Sequence, residues 1–459
     1  MNAPNEKHDL AWWQALDRAH FLHPMTDHKD LAAKGTRVIE RGEGVYVYDV
    51  DGHRILDGMS GLWCVNVGYG RRELIDAAAM QLERLPYYNS FFQCTHTGAI
   101  ELAAKLTALT PGYEHVFFTN SGSEAVDTVF RMVRRYWDLK KQPYRKTIIG
   151  RVNGYHGSTV AGASLGGMAA MHAQGDLPIP GVAHIPQPYW YAEGGDLSPH
   201  EFGLARARLL EEKILQLGPH NVAAFIAEPI QGSGGVIVPP ESYWPEIARI
   251  CREYGILLVC DEVICGFGRL GRWFGSQYYG VEPDLMPIAK GLSSGYIPIG
   301  GVLVGRRVAD TLIEEGGEFH HGYTYSGHPV ACAVASANLD VMLRERLVER
   351  VAQDIGPYLQ SRWAELADHP LVGQTRGVGL VAAMELVRDK HRRRFFEPVG
   401  VVGLRARDIS IEEGLVMRAV RDTMIIAPPL VITRAQVDEL VATARRVLDR
   451  TAAEFATGG

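Results

Sequence analysis

The stretch Ile256-Leu257-Leu258-Val259-Cys260-Asp261-Glu262-Val263 is an apolar run that ends abruptly in two acids. Five apolar residues in succession are typical of a strand buried on both faces of a parallel sheet. A carboxylate at the end of such a strand loses much of its hydration, which is costly unless a cation lies beside it. A candidate cation follows further along the chain as Lys290, in Ala289-Lys290-Gly291.

An acid and a lysine in this arrangement suit pyridoxal phosphate. The cofactor needs a lysine for its Schiff base and an acid that pairs with its ring nitrogen. Two other interpretations stay open from these residues alone, namely a buried Asp261–Lys290 ion pair and an Asp261 that caps the following turn. The cofactor interpretation is favoured only when the rest of the chain is considered.

The composition is that of an ordinary globular protein. Of the 459 residues, 46% are hydrophobic and 22% are charged, which suits a large core and about two or three domains. The net charge of −6 predicts neither a nucleic-acid nor a membrane partner. We expect no secretory signal and no membrane span. The six cysteines form no CxxC pair, so we expect free thiols in a reducing cytoplasm.

Strand-like runs alternate with helical segments from about residue 65 onward. This alternation predicts an α/β domain with a mainly parallel sheet. The runs are residues 116–118, 147–150, 223–227, 256–259 and 301–304. Before them, an Asp-Gly turn at 51–52 predicts a hairpin, and near the C-terminus Thr433 and Gln436 predict the capped start of a long helix.

A second motif, Thr119-Asn120-Ser121-Gly122-Ser123-Glu124, predicts a helix start that can hold a phosphate. Free N–H groups and positive potential at a helix N-terminus bind anions, and a glycine lets the backbone approach closely. We assign the contact to Ser121, Gly122 and Ser123. Glu124 and Asp127 are expected to point away, because they would repel the anion. Plain helix capping is the alternative for this motif.

A third motif imitates a dinucleotide site. Gly266-Phe267-Gly268-Arg269-Leu270-Gly271 matches G-x-G-x-x-G, but that signature requires its last glycine to lie in a helix. The following residues are typical of a loop. An NAD-dependent oxidoreductase is therefore disfavoured.

An aromatic pair lies between glycines in Asn153-Gly154-Tyr155-His156-Gly157. Tyr155 could stack on a planar ring, and Val263 could pack on the opposite face. For His156, a structural role and a functional role are equally open.

Six strings occur in the order found in class III (subgroup II) pyridoxal-phosphate aminotransferases, which the chain resembles over nearly its whole length. They are TNSGSEA at 119–125, YHG at 155–157, EPIQG at 228–232, DEV at 261–263, GFGR at 266–269 and AKG at 289–291. Three softer strings, at 61–70, 166–168 and 295–300, look most like ω-amino acid (β-alanine or amine):pyruvate aminotransferases.

The resemblance implies fold type I, with a large domain around a mainly parallel seven-stranded sheet and a small α+β domain from both termini. We expect residues 1–64 in the N-terminal part of the small domain, 65–332 in the large domain and 333–459 in the C-terminal part. Such enzymes are homodimers or dimers of dimers that share their active sites.

The resemblance also implies roles for individual residues. Lys290 would be the Schiff-base lysine and proton shuttle, and Asp261 would pair with the ring nitrogen. The cofactor would further contact Ser121, Gly122, Ser123, Tyr155, Val263 and Thr324 of the partner subunit. The substrate would contact Trp63, Tyr155, Glu228 and Arg418. Arg418 would bind a carboxylate and swing away from an apolar amine, with Glu228 as its alternative partner. No metal site is expected.

One position departs from the family pattern. Several relatives carry Gln immediately after the position of Val263, whereas this chain has Ile264. The contact to the cofactor's phenolic oxygen is therefore in doubt, and the pocket should be more apolar.

The expected activity is ping-pong transfer of an amino group from an ω-amino acid or primary amine to pyruvate. Within the same chemistry, the alternatives are a 4-aminobutyrate or diamine aminotransferase using 2-oxoglutarate, a dialkylglycine-type decarboxylase and an aminomutase. A catalytically silent interaction module is disfavoured, because both Lys290 and Asp261 are present.

Overall fold

A computed structural model gives the structure of the chain and describes residues 8–456. Its named strands form three sheets. The first contains β1 (Ile39–Glu43), β2 (Tyr46–Asp49) and β3 (Arg54–Leu56). The second contains β4 (Tyr113–Thr119), β5 (Thr147–Arg151), β6 (Val182–Ile185), β7 (Val222–Ala227), β8 (Leu257–Cys260), β9 (Leu285–Ile288) and β10 (Gly300–Gly305). The third contains β11 (Val372–Val378), β12 (Val381–Leu386), β13 (Arg418–Val420) and β14 (Thr423–Ile426).

Along the chain, helices lie before, between and after these strands. The first nine are α1 (Leu10–His20), α2 (His28–Lys34), α3 (Ser60–Trp63), α4 (Arg72–Arg84), α5 (Thr97–Ala108), α6 (Gly122–Leu139), α7 (Val160–Leu165), α8 (Ala169–Ala173) and α9 (Trp190–Glu193). The others are α10 (Pro199–Leu217), α11 (Tyr243–Glu253), α12 (Gly275–Tyr279), α13 (Arg306–Glu314), α14 (Pro329–Arg344), α15 (Leu347–Arg350), α16 (Gly356–Ala364), α17 (Val401–Glu412) and α18 (Arg434–Ala456).

The seven-stranded sheet confirms the predicted fold class. Its order is β4-β10-β9-β8-β7-β5-β6. Strands β9, β8, β7, β5 and β6 run parallel, while β10 is antiparallel to both of its neighbours. Successive residues of β8 enter two different apolar clusters, one with α6 and the other with α10 and α11. Both faces of the sheet are therefore covered, as the unbroken apolar run predicts.

The sheet directs several motifs to one edge. Ser121 follows β4, Tyr155 follows β5, Glu228 follows β7, Asp261 follows β8 and Lys290 follows β9. The carboxyl ends of parallel strands lie on the same side of a sheet, which is where open α/β sheets bind ligands. The topology therefore brings together residues that are far apart in sequence.

The two terminal parts of the described chain meet beside this sheet. The N–H of Leu56 donates to the Gly414 carbonyl at 2.9 Å, and the N–H of Val416 donates back to the Leu56 carbonyl at 2.9 Å. A single small domain built from both termini remains our prediction. Its proposed boundary at 332/333 falls inside α14. The capping of α18 by Thr433 and Gln436 is confirmed by two reciprocal hydrogen bonds, of 2.9 and 3.3 Å.

In the region from 8 to 456, we find no helix that combines the length and the apolar character needed to cross a membrane. All six cysteines are unpaired.

Candidate active site

A cavity of about 260 Å³ opens at the carboxyl edge of the central sheet. The predicted site residues line it, with the exception of Trp63, Thr324 and Arg418. Its lining combines polar and charged residues with apolar ones. A single site therefore collects the acid, the lysine and the helix N-terminus that the sequence suggests.

Lys290 lies in a short 3₁₀ turn, Lys290–Leu292, with a left-handed φ of 46°. Within residues 8–456 its side chain forms no ion pair and no hydrogen bond, so the interpretation as an Asp261–Lys290 ion pair is wrong. Burial lowers the pKa of Lys290, and the nearby Cys64, Asp261 and Glu228 raise it only in part. A lower pKa favours the neutral form of the amine, which is the nucleophilic one.

His156 is the partner that Asp261 uses instead. Its Nδ1 lies 2.7 Å from Oδ2 of Asp261, and both side chains are almost fully buried. The other carboxylate oxygen accepts the N–H of Val263 at 3.1 Å. Asp261 therefore caps the turn that follows it, which was one of the two other interpretations of this residue. His156, which the sequence left open, fixes the orientation of the carboxylate.

The N-terminus of α6 forms the anion-binding end of the cavity. Among the described residues, the backbone N–H groups of Gly122 and Ser123 have no acceptor, as is expected in a first helical turn. Ser121 Oγ accepts the N–H of Glu124 at 3.2 Å. Free donors at a helix start suit a phosphate. The site therefore fits this part of the cofactor.

Both neighbouring acids turn away from this end, as expected. The Glu124 carboxylate accepts the N–H of Asn120 at 2.7 Å. The Asp127 carboxylate accepts the hydroxyl of Thr159 at 2.7 Å. The acids thus organise the loop without opposing an anion.

The Tyr155 loop packs tightly against the same helix start. Gly157 has a φ of 118°, and a Cβ at this position would lie 2.6 Å from Ser123 Oγ. Only glycine can occupy this position without displacing the helix start. Tyr155 itself lines the cavity, and its hydroxyl lies 3.2 Å from Ser158 Oγ. Val263 lines the cavity as well and closely approaches Gly122.

Glu228 is a buried acid on the cavity wall. One carboxylate oxygen accepts the N–H of Tyr155 at 3.2 Å and the other accepts the N–H of Gly232 at 3.1 Å. Burial raises the pKa of Glu228 to about 7. The side chain does not pair with Arg418 in this structure.

Arg418 lies on β13, beside the cavity and not on its wall. Its guanidinium has no acidic partner among residues 8–456. Burial lowers the pKa of Arg418, although the nearby Tyr155 raises it. Arg418 is also close enough to Lys290 to lower the pKa of that amine. The structure thus holds, in the described chain, a cation without an acidic partner whose charge acts on Lys290.

Two predicted residues lie elsewhere in this single chain. Trp63 is 2% exposed and packs in an apolar cluster that contains Ile264 and Ile425. Its indole N–H has no partner within the described chain. Thr324 is exposed, and its carbonyl accepts the hydroxyl of Tyr87 at 2.7 Å. Ile264 lines the cavity and makes that wall apolar.

The sequence did not indicate two further parts of the wall. Cys64 lines the cavity, and burial raises the pKa of its thiol. The loop after Lys290 contributes Ser293, Gly295, Ile297, Pro298 and Ile299. In the sequence, the string at 295–300 served only to indicate the subfamily. Its position just after Lys290 was the signal that could have placed it at the cavity.

The G-x-G-x-x-G motif has a structural role. Residues 266–271 form turns and no helix follows the last glycine directly. Arg269 is fully buried and donates to the Leu380 carbonyl at 3.0 Å and to Asn66 Oδ1 at 2.8 Å. The motif therefore ties distant segments together, and the dinucleotide interpretation is wrong.

One group of possible metal ligands occurs in the described part of the chain. It comprises Asp49 at the end of β2 together with Asp51 and His53 in the segment that follows. Asp51 and His53 are exposed, and none of the three lines the cavity.

Glu262 gives a testable pH dependence. Its oxygens accept the N–H groups of Gly275 and Ser276 at 2.7 and 2.6 Å, and burial raises its pKa from 4.5 to about 7. The folded chain keeps this proton to a higher pH than the unfolded chain. The protonated Glu262 therefore makes its full contribution to the free energy of unfolding below the unfolded pKa of 4.5. This contribution is lost as pH rises through about 7.

We expect the cofactor-free Glu262→Gln variant to lose less thermal stability than the wild type between about pH 5 and about pH 8. The difference in the unfolding midpoint should be about 2–4 °C, because Gln has no proton to lose. Calorimetry at several pH values measures it. Parallel curves for the two proteins would show that Glu262 does not titrate in this range.

Comparison with known proteins gives a consistent picture. A family model described as aminotransferase class-III matches residues 30–448. A putrescine–pyruvate aminotransferase of Pseudomonas aeruginosa is 62% identical over 442 residues, which cover 96% of each chain. A diaminobutyrate–2-oxoglutarate transaminase of Halomonas elongata is 44% identical over 447 residues, 95% of each chain.

Solved structures agree with these sequence matches. An omega transaminase of Pseudomonas jessenii in complex with PMP has a TM-score of 0.95 and 43% identity, covering 97% of this chain and 99% of its own. A thermostable (S)-enantioselective omega-transaminase of Thermomicrobium roseum has a TM-score of 0.93 and 45% identity, covering 97% and 99%.

Proposed function

This chain belongs to the class III aminotransferase family, and from that membership we propose that it transfers the amino group of an ω-amino acid or other primary amine to pyruvate. The family is dependent on pyridoxal phosphate. The donor is a diamine, an ω-amino acid such as β-alanine, or an apolar amine. The products are alanine and the corresponding aldehyde or ketone.

The unpaired guanidinium of Arg418 carries this proposal. A partly buried cation without an acid costs free energy in the empty site. A substrate carboxylate beside Lys290 would remove that cost through a charge-assisted and bidentate contact. The cation is present before any carboxylate arrives, so the site is prepared for a keto acid.

The number of cations favours a keto acid with one carboxylate. The described residues that line the cavity include no arginine, and Arg418 is a guanidinium whose charge lowers the pKa of Lys290. Pyruvate needs one cation, whereas the second carboxylate of 2-oxoglutarate would remain unpaired or face a buried acid. This supports pyruvate over 2-oxoglutarate as the acceptor.

The apolar wall supports a donor with a methylene chain or a hydrocarbon group. Val263, Ile264, Ile297 and Ile299 supply this surface. A chain of methylene groups gains free energy by leaving water for such a wall. The relative that acts on putrescine and pyruvate supports the same choice, because putrescine is a short chain with an amine at each end.

The roles of individual residues follow from their environment. When bound, pyridoxal phosphate supplies an aldehyde carbon that takes up the amino group and a ring that stores electrons. Lys290 would hold the cofactor covalently, and its Nζ, once free, would be the base that accepts the proton from the amine-bearing carbon of the donor. Asp261, oriented by His156, keeps a proton on the ring nitrogen. The N–H groups of Gly122 and Ser123 hold the phosphate.

The proposal extends to assembly and compartment. We place the enzyme in the cytoplasm as a homodimer whose subunits share their sites, with Thr324 of the partner subunit completing the phosphate contacts. The exposure of Thr324 in the single chain supports this arrangement. Trp63, which lies beside Ile264, would reach the substrate from behind that side chain.

A panel of substrates tests the proposal. Putrescine, β-alanine, 4-aminobutyrate and 1-phenylethylamine are each paired with pyruvate and with 2-oxoglutarate, and kcat/KM is measured. We expect pyruvate to support turnover with at least one of these amines. Its kcat/KM should exceed that of 2-oxoglutarate with the same amine. A consistent preference for 2-oxoglutarate would contradict the proposal and favour the alternative in which 4-aminobutyrate or a diamine reacts with 2-oxoglutarate.

Arg418→Ala should slow the half-reaction with pyruvate and leave the half-reaction with an apolar amine nearly unchanged. Pyruvate loses a charge-assisted contact, which costs roughly ten- to a thousandfold in kcat/KM. A purely apolar amine should be nearly unaffected, because it has no carboxylate. β-Alanine should suffer if its carboxylate uses the same cation. Single-turnover rates with each substrate measure the separation.

Arg421→Ala is the matched control for that experiment. Arg421 is exposed and begins the turn between β13 and β14. Its removal should leave both half-reactions unchanged. Equal losses for amine and pyruvate in Arg418→Ala, or a selective pyruvate defect in Arg421→Ala, would show that the carboxylate is bound elsewhere.

A further inference from the structure

The turn that carries Lys290 is held in an unfavourable backbone conformation. Lys290 has a φ of 46° and Ser294 has a φ of 50°. Residues other than glycine rarely adopt the left-handed region, and such positions persist only where surrounding structure holds them. Surrounding contacts must therefore hold this turn in place.

Asn338, on α14, supplies three of those contacts. Its side-chain Nδ2 donates to the Gly291 carbonyl at 2.9 Å and to the Leu292 carbonyl at 3.0 Å. Its Oδ1 accepts the Ser294 hydroxyl at 2.6 Å. The side chains of Asn338 and Ser294 are completely buried. One amide thus satisfies the carbonyls directly after Lys290 and restrains the second strained residue.

Asn66 holds the same turn from the other side. A Cβ on Gly291 would lie 2.5 Å from Asn66 Nδ2, so the two residues are in close contact. Asn66 is fixed in turn by Arg269, at 2.8 Å, and by its own bond to the Phe267 carbonyl at 2.9 Å. The Lys290 turn therefore contacts two buried amides, Asn338 through hydrogen bonds and Asn66 through close packing.

We propose that Asn338 is a positioning residue that directs the Lys290 amine toward the cofactor's aldehyde carbon. Asn338 does not line the cavity, so it acts through the lysine turn, by the carbonyls of Gly291 and Leu292 and the hydroxyl of Ser294. Without its two donors, the Leu292 carbonyl loses its partner, and the Gly291 carbonyl keeps only the backbone N–H groups of Ser293 and Ser294. The turn can then relax from its left-handed conformation and carry the Lys290 amine away from the cofactor.

The test compares two ligands of the cofactor-free full-length enzyme. Pyridoxal phosphate requires the Lys290 amine to form its covalent link, whereas pyridoxamine phosphate lacks the aldehyde and needs only the phosphate and ring contacts. In Asn338→Leu, we expect covalent capture of pyridoxal phosphate, followed by visible absorbance, to slow at least about tenfold. The dissociation constant for pyridoxamine phosphate should stay within about twofold of the wild type.

Leu339→Ala is the matched control, because Leu339 is equally buried on the same helix and makes no polar contact to the turn. This variant should lower the thermal midpoint and leave the capture rate unchanged. Equal losses for both ligands in Asn338→Leu would indicate a general structural role and overturn the proposal, as would an unchanged capture rate.

The inference rests on the assignment of Lys290 in the proposed function, and one step separates the two. Borohydride reduction of the wild-type enzyme followed by peptide mass analysis locates the covalent link. A link at another residue refutes the assignment of Lys290. A link at Lys290 together with normal capture by Asn338→Leu refutes only the role of Asn338.

Discussion

Lys290→Ala loses transamination by at least about a thousandfold, because one change removes both covalent capture and proton transfer. The variant should still fold, since the side chain borders a cavity and has no hydrogen-bond partner in the described chain. Its visible spectrum should also change, because the covalent link cannot form. Steady-state turnover with an amine and pyruvate, together with the absorbance spectrum, measures both effects.

Lys213→Ala controls for the loss of a lysine in general. Lys213 lies on α10 and donates to Gln216 Oε1 at 2.7 Å, without lining the cavity. It should turn over at the wild-type rate. Near-normal turnover of Lys290→Ala would remove Lys290 from the mechanism altogether.

Asp261→Asn should bind the cofactor and react slowly. A neutral amide no longer stabilises a proton on the ring nitrogen, so the ring stores electrons less effectively. Loss of a well-placed charge in a buried site commonly costs roughly 10²–10³ in rate. The bond to His156 should survive in part, because the amide oxygen can still accept. The rate of the amine half-reaction alone, in a single turnover, is the relevant quantity.

Asp340→Asn, at an exposed position on α14, provides the comparison for Asp261→Asn. Asp340 pairs with Lys105 at 2.6 Å on the surface. This control should show no kinetic change. An unchanged amine half-reaction in Asp261→Asn would mean that the carboxylate serves the fold and not the chemistry.

Much of the fold follows from local pattern. The apolar run before Asp261 predicts a strand with two buried faces, and β8 has them. Two strands of the central sheet did not stand out. β9 contains Pro287, which lacks an N–H and is unusual within a sheet. β6 is an edge strand interrupted by His184. Whether a short segment with such residues forms a strand depends on the strands beside it in the sheet, and not on its own sequence.

The candidate site shows the same division between local and distant information. The spacing of Ser121 and Glu124 predicts the start of a helix. The structure confirms it, because Ser121 Oγ accepts the N–H of Glu124. His156 gave no comparable signal, because its pairing with Asp261 depends on two strand ends meeting in space. Arg418 was suggested only by family resemblance. Its importance depends on the absence of an acid from its surroundings in the described chain, which no spacing reveals.

The central claim is that one site runs two half-reactions, the second with pyruvate. The most direct measurement mixes the cofactor-loaded enzyme with a terminal amine and no keto acid, and follows visible absorbance before and after pyruvate is added. The account predicts that the amine bleaches the absorbance and releases about one carbonyl product per site. Pyruvate then restores the absorbance and yields about one alanine per site. Absorbance that the amine does not change, or that 2-oxoglutarate restores and pyruvate does not, would contradict the account.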